Sequence, residues 1–216
     1  MTRLLGLGAG GHAKVVLEVA LALGYDVVGL LDPRRDLWGT TVCGVPVLGG
    51  DELMAPQYDG GVRTAFIGLG SGQDTAPRAA LYRRARDAGF EIPSLVHAAA
   101  VVSPSATLGR GATVLAGGLI NADAVLGENV IVNTGAIVEH DCRLGDHVHV
   151  ASGARLAGGV QIGDGVHVGL GACVNQGIEI GPGAVVGSGA VVVRDVEPGA
   201  VVAGVPARPL RGTVTP

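Results

Sequence analysis

The segment Glu139-His140-Asp141 places an imidazole between two carboxylates. A histidine of near-neutral pKa can accept a proton from an attacking amine or hydroxyl, and a neighbouring carboxylate can orient its ring. Gly158 follows His140 at an 18-residue spacing, and Asn133 precedes it by seven. If this spacing is one structural repeat, Gly158 lies directly above His140 and can offer its N–H to a developing oxyanion. This set predicts acyl transfer.

Two further histidines, His149 and His167, have the same spacing, so the same repeat would stack them on another edge. The alternative for all these residues is ordinary polarity on the surface of a repeat protein, which we assign to His147. His149 is equally compatible with surface and site. Because the stacked positions offer no closed ligand set, we expect no metal site.

A six-residue period positions these groups. The sixteen residues taken at every sixth position from Val102 to Val192 are all aliphatic. The residues two positions before each of them are apolar and mostly small. Such a period is the mark of a hexapeptide β-helix. An aliphatic residue followed by glycine also recurs at the 18-residue spacing, three times the shorter period, which predicts three flat faces in each coil. It occurs at Leu108, Leu126, Leu144, Ile162 and Ile180.

Ahead of the repeats, the patterning predicts a strand over 2–7, a helix over 12–23 and a strand over 27–31. The buried face of the helix is expected to carry Val15, Val16, Val19 and Leu23.

The turn between the first strand and the helix fits the G-x-G-x-x-G pattern with Gly6, Gly8 and Gly11. Free N–H groups at the helix start can bind a phosphate, and Asp32 after the second strand could accept hydrogen bonds from a ribose. His12 is either a ligand contact or a cap. The alternative for the glycines is close packing of helix and strand alone.

The rest of the N-terminal half is expected to be irregular over 33–60, then strand over 63–67, helix over 75–88, and strand or connector over 90–96. Residues 1–95 have room for one mononucleotide-binding half only, which favours a mononucleotide-type ligand over NAD. We therefore predict an α/β half-Rossmann (βαβαβ) domain over 1–95 and a parallel β-helix over 96–216. Residues 201–207 are expected to close the array.

Composition excludes several classes of function. The net charge is −4, which argues against nucleic acid as a partner, and no basic cluster suggests a membrane surface. No apolar run of about 18 residues and no signal peptide is evident, so we expect a cytoplasmic protein. Cys43, Cys142 and Cys173 have no metal-like spacing, and Cys142 occupies a small core position that predicts an inert thiol.

Several stretches together resemble one enzyme family over nearly the whole chain. They are GAGGHAKVV, HAAAVVSPSA, NTGAIVEHDCRLGDHVHVASGARLAGGV and VVAGVPARPL. They are similar to the left-handed β-helix acetyltransferases of nucleotide-linked amino sugars, such as the bacillosamine and perosamine N-acetyltransferases, and to the sialic acid O-acetyltransferases. The left-handed coil comes from this resemblance, because the general rule for parallel crossovers predicts the opposite hand.

The resemblance also implies roles for individual residues. His140 matches the general base, Asp141 the acidic residue that raises its basicity, and Asn133 a residue near that base. Four positions match the acetyl-CoA site: His149, Gly158, Leu170 and Ser188. Five match the nucleotide-sugar pocket: Gly10, Gly11, His12, Asp32 and Gly70. Pro33 stands where a relative has a second Asp, so nucleotide selectivity can differ.

The sequence is thus expected to encode an acetyl-CoA-dependent N-acetyltransferase acting on a nucleotide-linked 4-amino-4,6-dideoxy sugar. The resemblance favours GDP-perosamine, with UDP- and dTDP-linked sugars left open, and implies a homotrimer with sites between subunits. The alternatives are a sialic acid O-acetyltransferase and a non-catalytic binding solenoid. An NAD-binding regulator would need the second half of the dinucleotide fold.

Overall fold

In the computed structural model, which describes residues 1–210, the N-terminal half forms a five-stranded sheet covered by helices. Its strands lie in the order β3-β4-β2-β1-β5, and only β3 is antiparallel to its neighbour. The elements in chain order are β1 (Arg3–Leu7), α1 (Gly11–Ala22), β2 (Asp26–Leu31), β3 (Thr41–Val42), β4 (Val45–Gly49), α2 (Met54–Asp59), β5 (Thr64–Ile67) and α3 (Ala76–Asp87).

The expectation of an irregular segment over 33–60 was wrong. Cys43 and Gly44, both at positive φ, form the two-residue turn of a hairpin between β3 and β4. Val45 and Val47 of β4 are buried, and Pro46 between them is exposed. This alternation adds β4 to the sheet beside β2, and short 3-10 helices occupy Arg35–Leu37 and Asp51–Leu53.

Helix α1 buries a different face from the one predicted. Val16 and Val19 are buried, as expected, but Val15 is 40% and Leu23 47% exposed. Small residues complete the buried face instead, which comprises Ala13, Val16, Leu17, Val19 and Ala20. The alanines allow α1 to lie close to the sheet.

After residue 94 the chain winds into a triangular prism of strands that are two or three residues long, which confirms the hexapeptide prediction. The first face contains β6 (Leu95–Val96), β9 (Thr113–Val114), β12 (Ile131–Val132), β15 (His149–Val150), β18 (His167–Val168), β21 (Val185–Val186), β23 (Val201–Ala203) and β24 (Arg208–Pro209). The second contains β7 (Val101–Val102), β10 (Leu119–Ile120), β13 (Ile137–Val138), β16 (Arg155–Leu156), β19 (Cys173–Val174) and β22 (Val191–Val192). The third contains β8 (Thr107–Leu108), β11 (Val125–Leu126), β14 (Arg143–Leu144), β17 (Gln161–Ile162) and β20 (Glu179–Ile180).

Successive strands within one face pair in parallel at the 18-residue register, as between Ile137 and Arg155. In strands β6 to β23 the second residue points into the prism, where the aliphatic side chains form one continuous core. Burial of each such side chain contributes about 1.5–3 kcal/mol. We call the corner after the first face the first corner, the next the second and the last the third.

The C-terminal residues cover the last coil. β24 pairs antiparallel with β23, so the final strand of the first face is not left with a free edge. Residues 211–216, the end of the predicted second domain, lie outside the described residues.

The N-terminal domain docks on the first face and the third corner. Thr75 Oγ1 donates to the carbonyl of Gly165 at 2.8 Å, and the Tyr82 hydroxyl donates to Glu128 at 2.8 Å. The outward residues of the first face from Leu95 to Val185, including Ile131 and His149, are therefore buried. None of the helices in residues 1–210 is long and apolar enough to cross a bilayer.

Candidate active site

The second corner brings His140, Asp141 and Gly158 together as the 18-residue register predicts. A Cβ atom added to Gly158 would lie 2.5 Å from His140 Cε1 and 2.6 Å from Nε2, so the imidazole covers this glycine. Only a residue without a side chain leaves the ring room to lie there. Asp141 adopts a φ of +60°, which aspartate tolerates better than most residues.

The carboxylate of Asp141 fixes the state of the imidazole. His140 Nδ1 lies 2.8 Å from Asp141 Oδ2, so Nδ1 carries a proton that it donates, and Nε2 keeps its lone pair. This hydrogen bond raises the pKa of His140 above its ordinary value. Glu139 instead accepts a hydrogen bond from Asn121 Nδ2 at 2.8 Å, which identifies Asp141 as the orienting group.

The thiol of Cys142 cannot serve as a nucleophile in this arrangement. Cys142 is fully buried, and its Sγ donates to the carbonyl of Ala157 at 3.2 Å. Burial also raises the pKa of the thiol, which disfavours the thiolate. The residues that the structure describes contain no cluster of potential metal ligands.

His149 is the centre of a second polar group, on the first face. Its Nδ1 lies 2.7 Å from the carbonyl oxygen of Ser71 and 2.8 Å from the Ser71 hydroxyl. Because a carbonyl only accepts, Nδ1 bears the proton, and Nε2 accepts from Asn133 Nδ2 at 3.1 Å. His167 stacks next to it as predicted, with ring centroids 5.0 Å apart. Burial, followed by His167, lowers the pKa of His149 to about 4, so the ring is neutral.

Within one chain the two groups are separated. Asn133 follows β12 at the first corner, His140 follows β13 at the second, and the width of the second face lies between them. The side-chain hydrogen bonds of Asn133 run to His149 and to the backbone N–H of Thr134. The positions expected along the cofactor, Leu170 and Ser188, are exposed at the first corner, in register with Thr134.

The N-terminal domain contains a cavity of about 560 Å³ at the carboxyl ends of β1, β2 and β5. All five residues expected in the nucleotide-sugar pocket line it: Gly10, Gly11, His12, Asp32 and Gly70. The cavity is also lined by the rigid ring of Pro33 and by three charged side chains, those of Arg34, Asp51 and Arg84. This is the position at which open α/β sheets bind ligands.

Asp32 is already occupied by donors of its own chain. Its carboxylate accepts the N–H of Ala9 at 2.8 Å and both the backbone N–H and the guanidinium of Arg34. Burial opposes its ionisation, but the bonds from Arg34 and Ala9 outweigh this and hold the pKa of Asp32 below its ordinary value. Asp32 thus secures the glycine-rich turn, and Arg34 reaches the cavity. The lone tryptophan packs, as expected, with Trp38 Nε1 donating to the Asp32 carbonyl.

His12 faces the cavity from the start of α1. Burial, followed by the charge of Arg78, lowers its pKa to about 3, so the ring is neutral. Its Nε2 is buried and has no hydrogen-bond partner among the described residues. The ring packs against Gly70, where an added Cβ would lie 3.1 Å from the His12 Cβ. A neutral ring with a free nitrogen suits a ligand contact better than a helix cap.

Sequence reasoning missed Ser71, Arg34 and Arg78. Ser71 and Arg34 both follow the carboxyl ends of parallel strands, a position at which polar residues commonly meet ligands. That signal could have found both. No sequence signal distinguishes Arg78 from the exposed arginines later in the same helix.

Comparison with known proteins agrees with this architecture. Residues 3–84 match the PglD N-terminal domain, and residues 123–158 match the bacterial transferase hexapeptide, six repeats. A search among curated proteins finds no significant match.

Two solved structures are similar over almost the full chain. A variant of perosamine N-acetyltransferase from Caulobacter crescentus, in complex with CoA and GDP-perosamine, is 42% identical, with a TM-score of 0.91 and 96% of each chain covered. The acetyltransferase domain of PglB from Neisseria gonorrhoeae FA1090 is 39% identical, with a TM-score of 0.90, 97% of this chain and 100% of that chain covered.

The half-Rossmann domain and the left-handed hexapeptide prism thus define an acyltransferase. The chain belongs to the family of hexapeptide-repeat N-acetyltransferases that act on nucleotide-linked amino sugars, with acetyl-CoA as the acetyl donor.

Proposed function

We propose that this protein transfers the acetyl group of acetyl-CoA to the amine of a GDP-linked 4-amino-4,6-dideoxy sugar, with GDP-perosamine as the leading candidate. The position of the free His140 Nε2 over Gly158 carries this proposal. The perosamine N-acetyltransferase of Caulobacter crescentus, crystallised with CoA and GDP-perosamine, supports the choice of nucleotide and sugar.

The reaction is a direct attack in a ternary complex. The amine nitrogen attacks the thioester carbonyl carbon, a C–N bond forms, and the negative charge moves to the carbonyl oxygen. Gly158 N–H has no hydrogen-bond partner among the described residues and can donate to this oxyanion. His140 Nε2 takes the amine proton. When the C–S bond breaks, the imidazolium returns a proton to the CoA thiolate.

The nucleotide occupies the cavity of the N-terminal domain. Its phosphates lie at Gly10 and Gly11, where the first N–H groups of α1 are unpaired and the helix dipole favours negative charge. The base then extends beyond Asp32 and Pro33. The amino sugar extends from Gly70, which lines the cavity, along Ser71 towards His149, to which Ser71 is hydrogen-bonded.

The second face of the prism supports a trimer with shared sites. Its outward residues are mainly apolar and at least partly exposed, comprising Val101, Leu119, Ile137, Arg155, Cys173 and Val191. The corresponding residues of the third face are mostly polar: Thr107, Val125, Arg143, Gln161 and Glu179. An apolar face of this kind is stabilised by contact with further copies of the chain.

Threefold symmetry explains why the two polar groups lie at different corners. If the second face of each copy turns towards a common axis, the first corner of one copy meets the second corner of the next. His149, Asn133 and the exposed Leu170 then face His140 and Gly158 of the neighbour. Acetyl-CoA lies between copies, along Leu170 and Ser188, with its thioester between the two groups.

We propose that the enzyme works in the cytoplasm. All three cysteines are free, and Cys142 is buried as a thiol, which suits a reducing compartment.

The test is an assay of acetyl-CoA against GDP-, UDP- and dTDP-linked 4-amino sugars and against sialic acid. We expect CoA release and an N-acetyl product with the GDP-linked amine, and no product from hydroxyl acceptors. Turnover of sialic acid alone would contradict amine specificity. Absence of turnover together with no shift of the melting temperature by CoA would indicate a binding solenoid.

A further inference from the structure

Arg78, on the first turn of α3, is a buried cation without a carboxylate partner. Its side chain is 1% exposed, and none of the ion pairs within residues 1–210 includes it. Nη1 donates to the carbonyl of Ile67 at 2.9 Å and to that of Leu69 at 2.6 Å. Nε and Nη2 are buried and have no partner in the described residues.

An unpaired buried charge is costly, so its retention requires a reason beyond packing. Burial lowers the pKa of Arg78 to about 9, so the guanidinium is still protonated at neutral pH. The charge of Arg78 contributes to the lowered pKa of His12, His147 and His149, none of which can form an anion at neutral pH, and no carboxylate forms an ion pair with it among residues 1–210. The protein itself therefore supplies no anion there.

The segment that Arg78 holds serves both halves of the proposed site. Gly68, Leu69 and Gly70 line the nucleotide cavity, and Gly70 packs on His12. The carbonyl of the next residue, Ser71, accepts a hydrogen bond from the Nδ1–H of His149. Arg78 thus binds two carbonyls, those of Ile67 and Leu69, in a five-residue segment, residues 67–71, which connects the two binding sites.

We infer that Arg78 is a positioning residue that couples nucleotide binding to acetyl-CoA binding. Its planar guanidinium fixes residues 67–71 in the conformation that lines the nucleotide cavity and orients His149. Its charge attracts the diphosphate of the substrate, the anion that the site lacks. This inference rests on the proposed function, because it takes His149 to meet the thioester end of acetyl-CoA.

The experiment measures the dissociation constants of GDP and CoA by calorimetry, each alone and with the other ligand present. In the wild-type protein we expect GDP to tighten CoA binding by about fivefold or more. Arg78→Lys lacks the planar fork and loses its proton more readily in this buried site, so the coupling should disappear while GDP affinity falls less than in Arg78→Met. Arg78→Met should lose the coupling and also weaken GDP by about tenfold or more.

Arg83→Met is the matched control, because Arg83 is an exposed arginine on the same helix. It should leave both affinities and their coupling unchanged. Coupling that persists in Arg78→Lys, full GDP affinity in Arg78→Met, or no coupling in the wild-type protein would overturn the inference.

If both Arg78 variants fail to fold, His149→Phe provides the decision. It removes the Nδ1–H that the Ser71 carbonyl accepts but leaves the residues of the nucleotide cavity, so the coupling should be lost while GDP affinity holds. Coupling that persists in His149→Phe would then overturn the inference. Failure of the proposed function has a different signature, since the wild-type protein would then bind neither GDP nor CoA.

Discussion

At the scale of single residues, His140 is defined by the two neighbours that touch it. Asp141 sets its tautomer and its pKa, and Gly158 leaves room for its ring. Both effects can be removed by substitutions that leave His140 itself in place. They therefore test the assigned role more sharply than replacement of the histidine.

Replacement of Asp141 with Asn should move the pH profile of kcat/KM. The carboxylate raises the pKa of His140, and the general base acts in its neutral form, so the wild-type rate rises through that raised pKa. In Asp141→Asn the pKa falls, and the acid limb should move to lower pH while the maximal kcat decreases. Glu139→Gln is the control and should move the limb less, because Glu139 is bonded to Asn121. An unmoved limb in Asp141→Asn would exclude this carboxylate from the mechanism.

Gly158→Ala should lower kcat by about 10²-fold, because the new methyl group displaces the His140 ring and leaves the backbone N–H intact. The same substitution in a His140→Ala background should have almost no further effect. Steady-state kinetics of the wild type, the two single variants and the double variant gives the coupling between the two residues in a double-mutant cycle. Additive losses in the double variant would show that Gly158 acts independently of the ring.

At the scale of elements, α3 sets the distance between the nucleotide cavity and the prism. Its N-terminal end is bonded to Gly165 through Thr75, and Tyr82 is bonded to Glu128 further along. Burial and the neighbouring Glu128 raise the pKa of Tyr82 well above its ordinary value, so the phenol keeps its proton and remains a donor. Its ring also packs edge-on against His147, at 5.6 Å between centroids. His147, expected at the surface, thus belongs to the domain contact.

Tyr82→Phe should lower the free energy of unfolding by about 1.5–3 kcal/mol, because a hydrogen bond to a charged group is lost at a buried contact. Urea unfolding at fixed protein concentration measures this change. Tyr25→Phe is the matched control, since the Tyr25 hydroxyl makes no hydrogen bond within residues 1–210. An equal effect of both substitutions would contradict the assigned role of Tyr82.

At the scale of the whole molecule, the proposed site requires more than one copy of the chain. Leu119 and Val125 lie in the same coil and are both partly exposed, one on the apolar second face and the other on the polar third face. Leu119→Arg should yield monomers in sedimentation experiments, and Val125→Arg should leave the trimer intact. Trimers of both variants would show that another surface forms the interface.

Shared sites also predict complementation between inactive variants. His140→Ala should lose about 10²–10⁴ in kcat, and we expect Asn133→Ala to be slow as well. In trimers mixed from equal amounts of both, about one quarter of the sites combine an intact His140 with an intact Asn133 from a neighbour. The mixture should regain activity in that proportion after co-refolding. No recovery would place both residues in the site of a single copy.

Much of this protein could be predicted from its sequence because a repeat fold depends on local rules. The period of six specifies which residue of each strand enters the prism, and the 18-residue register follows from three faces in a coil. Gly158 could thus be placed on His140, and His167 on His149, without coordinates. The glycine-rich turn between β1 and α1 predicted the pocket for a similar reason, since its geometry is contained in one short segment.

Only the tertiary structure decided the contacts that join distant segments. Nothing periodic marks the hairpin of β3 and β4, the Asp32 carboxylate that Arg34 and Ala9 occupy, or the contact of Ser71 with His149. These features depend on packing inside the N-terminal domain and between that domain and the prism, and the six-residue period carries no information about either.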